Sequence, residues 1–271
     1  MKQPFILILI LIGLITACTQ TSHHTLDVNN LNSLQELTAD DVTSASDNAA
    51  ARGLRSKALA ETAMSLGAQG GLAWAAAEIN TRMKKDRWYL DTIYNFNGMM
   101  LSHGVLPPIL VEGNNTLNLA NPNTLRISDK TYSIIQQARF ATTPPNWRDY
   151  LWLQYRSPEM PDKILLPRNA EERKVWRTNI NRGWQKGIEQ AYSIFRQNLA
   201  RLKRDYNGMV LYRKLLQEKM VSAPFVSRTE MGVTGDGTDM HINDQVLRIT
   251  VLPSLQTNSK RWKAIVVPNG D

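Results

Sequence analysis

From Asn169 to Asn207 the apolar residues Trp176, Ile180, Trp184, Ile188, Ala191, Phe195, Leu199, Leu202 and Tyr206 recur at intervals of three and four. That spacing puts them on one side of an α-helix. It predicts one long amphipathic helix whose apolar stripe must lie against other long elements. Asn169 is suited to cap this helix, and Glu171 and Glu172 suit its positive N-terminal end. Asn207-Gly208 ends or bends it, with Met209 to Met220 as a second helix. A similar periodicity runs from Ala49 to about Lys85 through Leu54, Ala58, Ala63, Leu66, Leu72, Ala76 and Ile79. Both stretches carry glycines four apart, Gly183 with Gly187 and Gly67 with Gly71. Glycine inside a helix costs about 1 kcal/mol relative to alanine, so these positions require a reason. Either another backbone approaches closely, with the two helices as candidate partners for one another, or Gly70-Gly71 is a turn between two shorter helices.

The remaining segments are shorter. Trp88 to Met100 reads as a further helix, and Val105 to Glu112, with Pro107-Pro108, reads as extended chain followed by a turn at Gly113-Asn114-Asn115. Thr124 to Ser128 and Tyr132 to Phe140 are short strands, or a strand followed by a helix. Asn146 caps a short helix from Trp147 to Tyr155 after the Pro144-Pro145 stop. Phe225 to Thr229, Gly232 to Gly237, Ile242 to Leu252 and Trp262 to Val267 are β-like, with a hairpin turn at Asp236-Gly237. The expected class is α+β: a helix-dominated body with a long amphipathic helix and a small antiparallel sheet.

One cysteine in 271 residues excludes an intramolecular disulfide and any multi-cysteine metal site. Its setting is specific. Lys2 is followed by the apolar run Phe5 to Ile15 and then by Ile15-Thr16-Ala17-Cys18. The run is too short to span a bilayer and has the order of a secretory signal. The four residues resemble the lipobox of bacterial lipoproteins, which implies diacylglycerol on the Cys18 sulfur, cleavage before it and acylation of the new amino group. Several acyl chains anchor stably where one binds marginally, and Thr19 after the cysteine fits sorting to the outer membrane. Residues 1–17 are thus expected to be a signal peptide and 18–50 an acylated, flexible tether rich in Ser, Thr, Asn and Asp. Within the tether, Leu31 to Leu37 has the pattern of a transient helical turn. Residues 51–271 are expected to form one globular domain. No Lys or Arg occurs between Lys2 and Arg52, so the net charge of +8 is concentrated in that domain, which permits an anionic partner.

Catalytic signatures are sparse. The sequence has no Gly-x-Ser-x-Gly elbow, P-loop, His-Glu-x-x-His or dinucleotide fingerprint. His23 and His24 sit in the tether, and His103 and His241 stand beside turn residues. Asp236, Asp239, His241 and Asp244 do not have the spacing of a calcium loop and read as hairpin chemistry. No catalytic residue, metal or cofactor is assigned, and the chain is expected not to be an enzyme. The competing reading is a peptidoglycan-cleaving or peptidoglycan-binding protein, with Glu112 and Asp129 as paired carboxylates. Basic runs at Arg82 to Arg87 and Arg201 to Arg204 are either solvated helix faces or contact faces for DNA, cell-wall polymer or an acidic protein surface. Trp147, Arg148, Tyr150 and Trp152 are residue types enriched at protein interfaces; they form either such an interface or a satellite core.

Five stretches together carry a family resemblance: Ser65-Leu-Gly-Ala-Gln-Gly-Gly-Leu-Ala-Trp74, Leu106-Pro-Pro-Ile-Leu-Val-Glu-Gly-Asn-Asn-Thr-Leu-Asn-Leu119, Pro145-Asn-Trp-Arg-Asp-Tyr-Leu-Trp152, Gly183-Trp-Gln-Lys-Gly-Ile-Glu-Gln190, and Gly232 to Arg248. With them the chain resembles the DotC family of lipoproteins from type IVB, Dot/Icm-like, secretion systems and related plasmid conjugation systems. The resemblance implies a non-enzymatic part of an outer-membrane core complex. It further implies a DotD-like lipoprotein and a DotH-like channel subunit as partners, with the chain helping to place the channel subunit at the outer membrane. Cys18 is the one functional residue it carries over.

Overall fold

A computed structural model describes residues 30–39 and 49–263. The expected signal peptide, Cys18 and the rest of the expected tether lie outside the described residues. Helix α1 (Leu31–Gln35) is capped by Asn30, whose side chain accepts from the Ser33 N–H at 3.1 Å. It precedes α2 (Ala49–Lys85) and the short α3 (Arg87–Ile93). Strand β1 (Val105–Leu106), the long β2 (Ile109–Asn121) and β3 (Thr124–Gln136), and β4 (Arg139–Phe140) follow, then α4 (Trp147–Leu151). The 48-residue α5 (Ala170–Gln217) is succeeded by the hairpin of β5 (Phe225–Gly235) and β6 (Met240–Val251). The α+β class holds, with three two-stranded antiparallel sheets, β1–β4, β2–β3 and β5–β6, around the helical body. Among the described residues no helix is long and apolar enough to cross a membrane.

The body is organised by α2 and α5, which lie side by side in parallel. Arg55 faces Glu172 near their starts, Gly67 meets Ile180, Gly71 meets Trp184, and Met83 shares a cluster with Phe195 further along. The glycines make this possible. A methyl group at Gly67 or Gly71 would overlap the carbonyl oxygen of Ile180 or Trp184, and one at Gly183 or Gly187 that of Met64 or Ala68. The alternative of a turn at Gly70-Gly71 is not what forms, because both glycine pairs sit in the seam and α2 is continuous. Ala63, Leu66, Trp176, Ile180 and Trp184 fill the first core cluster along this seam.

The notional tether is partly structured. Leu34 is fully buried in the same cluster as Leu59 and Trp176. The Trp176 indole N–H donates to the Leu34 carbonyl at 2.9 Å, and the Ala39 N–H donates to the Pro167 carbonyl at 3.2 Å. Residues 30–39 therefore belong to the packed body. The helical turn expected at Leu31 to Leu37 does form, but it is docked through Leu31, Leu34 and Leu37 and is not part of a flexible tether.

Four local expectations are corrected. Asn207-Gly208 does not end the long helix; α5 runs through it, and Gly208 lets β2 cross, with Ile109 Cγ2 and the Leu110 main chain in the space of a side chain. Gly113-Asn114-Asn115 is no turn. It lies within β2, with Asn115 taking a positive φ of 49°, and the chain reverses at residues 121–124. Thr124 to Ser128 and most of Tyr132 to Phe140 are strand as expected, but they join in one long β3 with β4 after it, and the strand-then-helix alternative does not form. Finally, Trp262 follows a 3₁₀ turn and neither it nor Lys263 is in a strand; residues 264–267 of that expected strand lie outside the described residues.

The two long hairpins leave the body as arms. At the root of β2, Ile109 and Leu110 are buried. Beyond them Leu117 pairs with Ile127 and Leu119 with Leu125, all exposed. The β5–β6 arm likewise exposes Met231, Val233, Met240 and Ile242. A strand of this length reaches about 40 Å at ~3.3 Å per residue, and an isolated two-stranded ribbon is marginally stable in water.

Candidate functional site

The short α4 forms because Asn146 caps it on both sides of the turn. Asn146 Oδ1 accepts from the Arg148 N–H at 3.0 Å, and Asp149 Oδ2 accepts from the Asn146 N–H at 2.8 Å, a reciprocal capping box. This places Trp147 and Arg148 against α3. The Trp147 indole N–H donates to Asp91 Oδ1 at 2.7 Å, and the Arg148 guanidinium donates to both Asp91 oxygens at 2.7 and 3.3 Å. The Arg148 guanidinium also lies 4.2 Å from the centroid of the Trp147 ring. Hydrogen bonds from Arg148 and then Trp147 hold the Asp91 carboxyl below its usual range.

Around this junction lies an open cleft of about 800 Å³ lined by Lys84, Arg87, Trp147, Arg148, Asp149, Trp152 and Gln154. Its cations outnumber its acids. Arg148 is balanced by Asp91, and Asp149 is committed to the cap. Arg87 is exposed and has no bonded partner among the described residues, while the Lys84 ammonium stands 5.5 Å from the Trp152 ring centroid. The cleft thus offers two cations that bond no carboxylate among the described residues, Arg87 acting on Asp91 only through its charge, beside a half-exposed indole.

The four residues singled out from sequence separate into distinct roles. Trp147 is only 1% exposed and belongs to a core cluster with Phe96, Leu151, Leu202 and Met209, so it forms the back wall of the cleft. Arg148 and Trp152 are its accessible members. Tyr150 does not line it: the ring stacks on Phe96 at 6.1 Å, the hydroxyl donates to Asp205 Oδ2 at 3.2 Å, and Arg201 lies 5.2 Å from the ring centroid. Burial, reinforced by the Asp205 charge, pushes the Tyr150 hydroxyl up to about 12. Cys18 lies outside the described residues. Lys84 and Arg87 fall in a basic run visible in the sequence, but nothing in the sequence pairs that run with α4. Asp91, which joins the two, was missed altogether; its only signal is its place one turn after Arg87 on α3.

Several of the acidic candidates are engaged by neighbours at their own positions. Glu112 is ion-paired with Lys130 at 3.0 Å on the β2–β3 arm, where Asp129 also lies. Asp236 accepts from the Thr238 and Asp239 N–H groups and from the Thr238 hydroxyl, which orders the β5–β6 tip and holds its carboxyl below the usual range. Asp244 accepts from the Thr234 hydroxyl across the same hairpin at 2.6 Å. His103 sits exposed in a tight turn with φ 62°.

A search of curated proteins finds no match. A protein-family profile described as type IV secretory system, conjugal DNA-protein transfer, matches residues 53–264. That range takes in both long helices, the cleft and both arms, well over half of the chain. The chain therefore belongs to this family of type IV secretory system proteins of conjugal DNA–protein transfer.

Proposed function

We propose that this protein is a DotC-like lipoprotein, held on the periplasmic face of the outer membrane through acylated Cys18, and that it acts as a non-catalytic assembly subunit of a type IVB secretion or conjugation core complex. The family match carries the reading, because it makes the chain a type IV secretion component, and Ile15-Thr16-Ala17-Cys18 supplies a membrane anchor for it. The surface chemistry supports the same role. Two arms expose apolar side chains in water, and contiguous exposed apolar surface marks interaction sites. The cleft places cations beside an accessible indole, a combination suited to a protein contact.

In this reading the chain helps bring a DotH-like channel subunit to the outer membrane together with a DotD-like lipoprotein. The test is affinity purification of the detergent-extracted protein from cells carrying the complete system. Co-purification of outer-membrane core subunits in fixed proportion supports the role. Elution of the protein alone, with release of soluble fragments from purified peptidoglycan, overturns it in favour of a wall hydrolase.

A further inference from the structure

Charge is segregated between two places on this molecule. Between Arg228 and Arg248, across the outer part of the β5–β6 arm, there is no Lys or Arg, while Glu230, Asp236, Asp239 and Asp244 all fall there. This occurs in a chain of net charge +8. At the tip, Asp239 is exposed and its carboxylate has no partner among the described residues, whereas Asp236 uses Oδ1 for its three hydrogen bonds. Val233, Met240 and Ile242, each about two-thirds exposed, flank these acids.

The cleft has the complementary pattern: Lys84 and Arg87 without a bonded carboxylate among the described residues, and Trp152 accessible. A chain's own tip does not line its own cleft; the residues around the tip, from Val233 to Met240, and those around the cleft are separate sets.

We propose that the acidic tip of the β5–β6 arm of one copy docks in the basic, tryptophan-rimmed cleft of a second copy. The tip acids meet Lys84 and Arg87, and the apolar side chains beside them cover Trp152. Potentials of opposite sign steer and register such a contact, and a methionine suits an aromatic face or edge. The contact is head to tail, since the tip and the cleft are different surfaces. Such heterologous contacts build closed rings or open strings. It also gives an otherwise marginal two-stranded ribbon a packed partner. This inference rests on the reading of the chain as an assembly subunit and adds that the subunit assembles with itself.

The test is disulfide trapping of the full chain in membranes of cells carrying the complete system. Asp239→Cys and Arg87→Cys are made singly and together; both positions are exposed, so neither substitution disturbs the core. The parent chain, whose single cysteine is Cys18, sets the background. The expected result is a ladder of dimers, trimers and larger species from the double variant, no ladder from either single variant, and only dimers when the two single variants are co-expressed. Adding Lys84→Glu to the double variant lowers the yield by about tenfold, because a like charge then faces the tip acids; adding Asp236→Lys as well restores it.

Dimers from Asp239→Cys alone overturn the head-to-tail contact. A cross-link to a different envelope protein overturns the self-contact and identifies another occupant of the cleft. A monomer band alone, from a double variant that still co-purifies with core subunits, overturns this inference and leaves the assembly role intact. Loss of co-purification by the parent chain itself is the result that removes the assembly role.

Discussion

Gly187 on α5 lies directly against the main-chain carbonyl of Ala68 on α2, with no space for a methyl group between them. The same is true of Gly71 against Trp184. The two longest helices therefore meet backbone to backbone, and neither main chain can move aside as a flexible side chain would.

Alanine at Gly71 or Gly187 is consequently expected to destabilise the protein. The substitution gains about 1 kcal/mol of helix propensity, but overpacking a rigid seam costs up to about 3 kcal/mol, leaving a net loss of up to about 2 kcal/mol. Gly53 on α2 is the internal control. An added Cβ there meets nothing within 4 Å, so Gly53→Ala should be neutral or stabilising by up to about 1 kcal/mol. Urea denaturation of the soluble Cys18→Ser form measures all three, and equal effects at Gly53 and Gly187 would contradict the seam.

The docked segment before α2 yields a second expectation. Leu34 is fully buried, so Leu34→Ala should cost about 2–5 kcal/mol. The neighbouring Asn32 is exposed, and Asn32→Ala should shift the unfolding midpoint little. If Leu34→Ala is also silent, residues 30–39 behave as tether in solution.

A pH dependence follows from the start of the seam. Burial alone would raise the Glu172 carboxyl, but hydrogen bonds from the Arg55 guanidinium, at 2.7 and 3.1 Å, and from the Arg168 N–H, at 2.9 Å, lower it below the usual range. A carboxyl lowered in the folded state binds its proton more readily in the unfolded chain. Its stabilisation is thus fully present above the unfolded value of about 4.3 and is lost as pH falls through the lower folded value. Glu172→Gln should cost about 1–2 kcal/mol at pH 7, with the difference from wild type shrinking below about pH 4. A gap that stays constant down to pH 3 would contradict this.

The two cleft tryptophans should behave differently. Trp147 is core, so Trp147→Ala is expected to cost about 3–5 kcal/mol and to impair assembly through misfolding. Trp152 is half-exposed, so Trp152→Ala should change stability by less than about 1 kcal/mol while weakening recovery of the complex. Melting curves beside pull-down yields separate the two effects; a Trp152 variant that assembles normally would remove the cleft from the interface.

The helical seam was legible in the sequence because two chemical signals coincide there, a three–four apolar period and glycines one turn apart. Asn169 as cap and the β5–β6 turn at Asp236-Gly237 were legible for the same reason, since the local residue type and the local geometry agree. Gly208 and Asn115 misled because their signals are real but are used otherwise. Gly208 admits a crossing strand and Asn115 takes its positive φ within a strand that continues; both depend on pairing with another segment. The cleft was half legible. Trp147, Arg148 and Trp152 stand out as residue types, yet the bridge through Asp91, 57 residues before Arg148, is visible only once α3 and α4 are packed. The arms' exposed leucines and isoleucines look like core residues to any pattern rule, since periodicity reports which residues share a face but not whether that face is covered.

The central claim, an acyl-anchored assembly subunit, is tested most directly by comparing wild type with Cys18→Ser in fractionated cells that carry the complete system. The expected result is wild-type protein in washed outer membranes together with core subunits, and the serine variant in the soluble periplasmic fraction without them. A serine variant that remains in the outer membrane and still recovers the full complex would contradict the anchor.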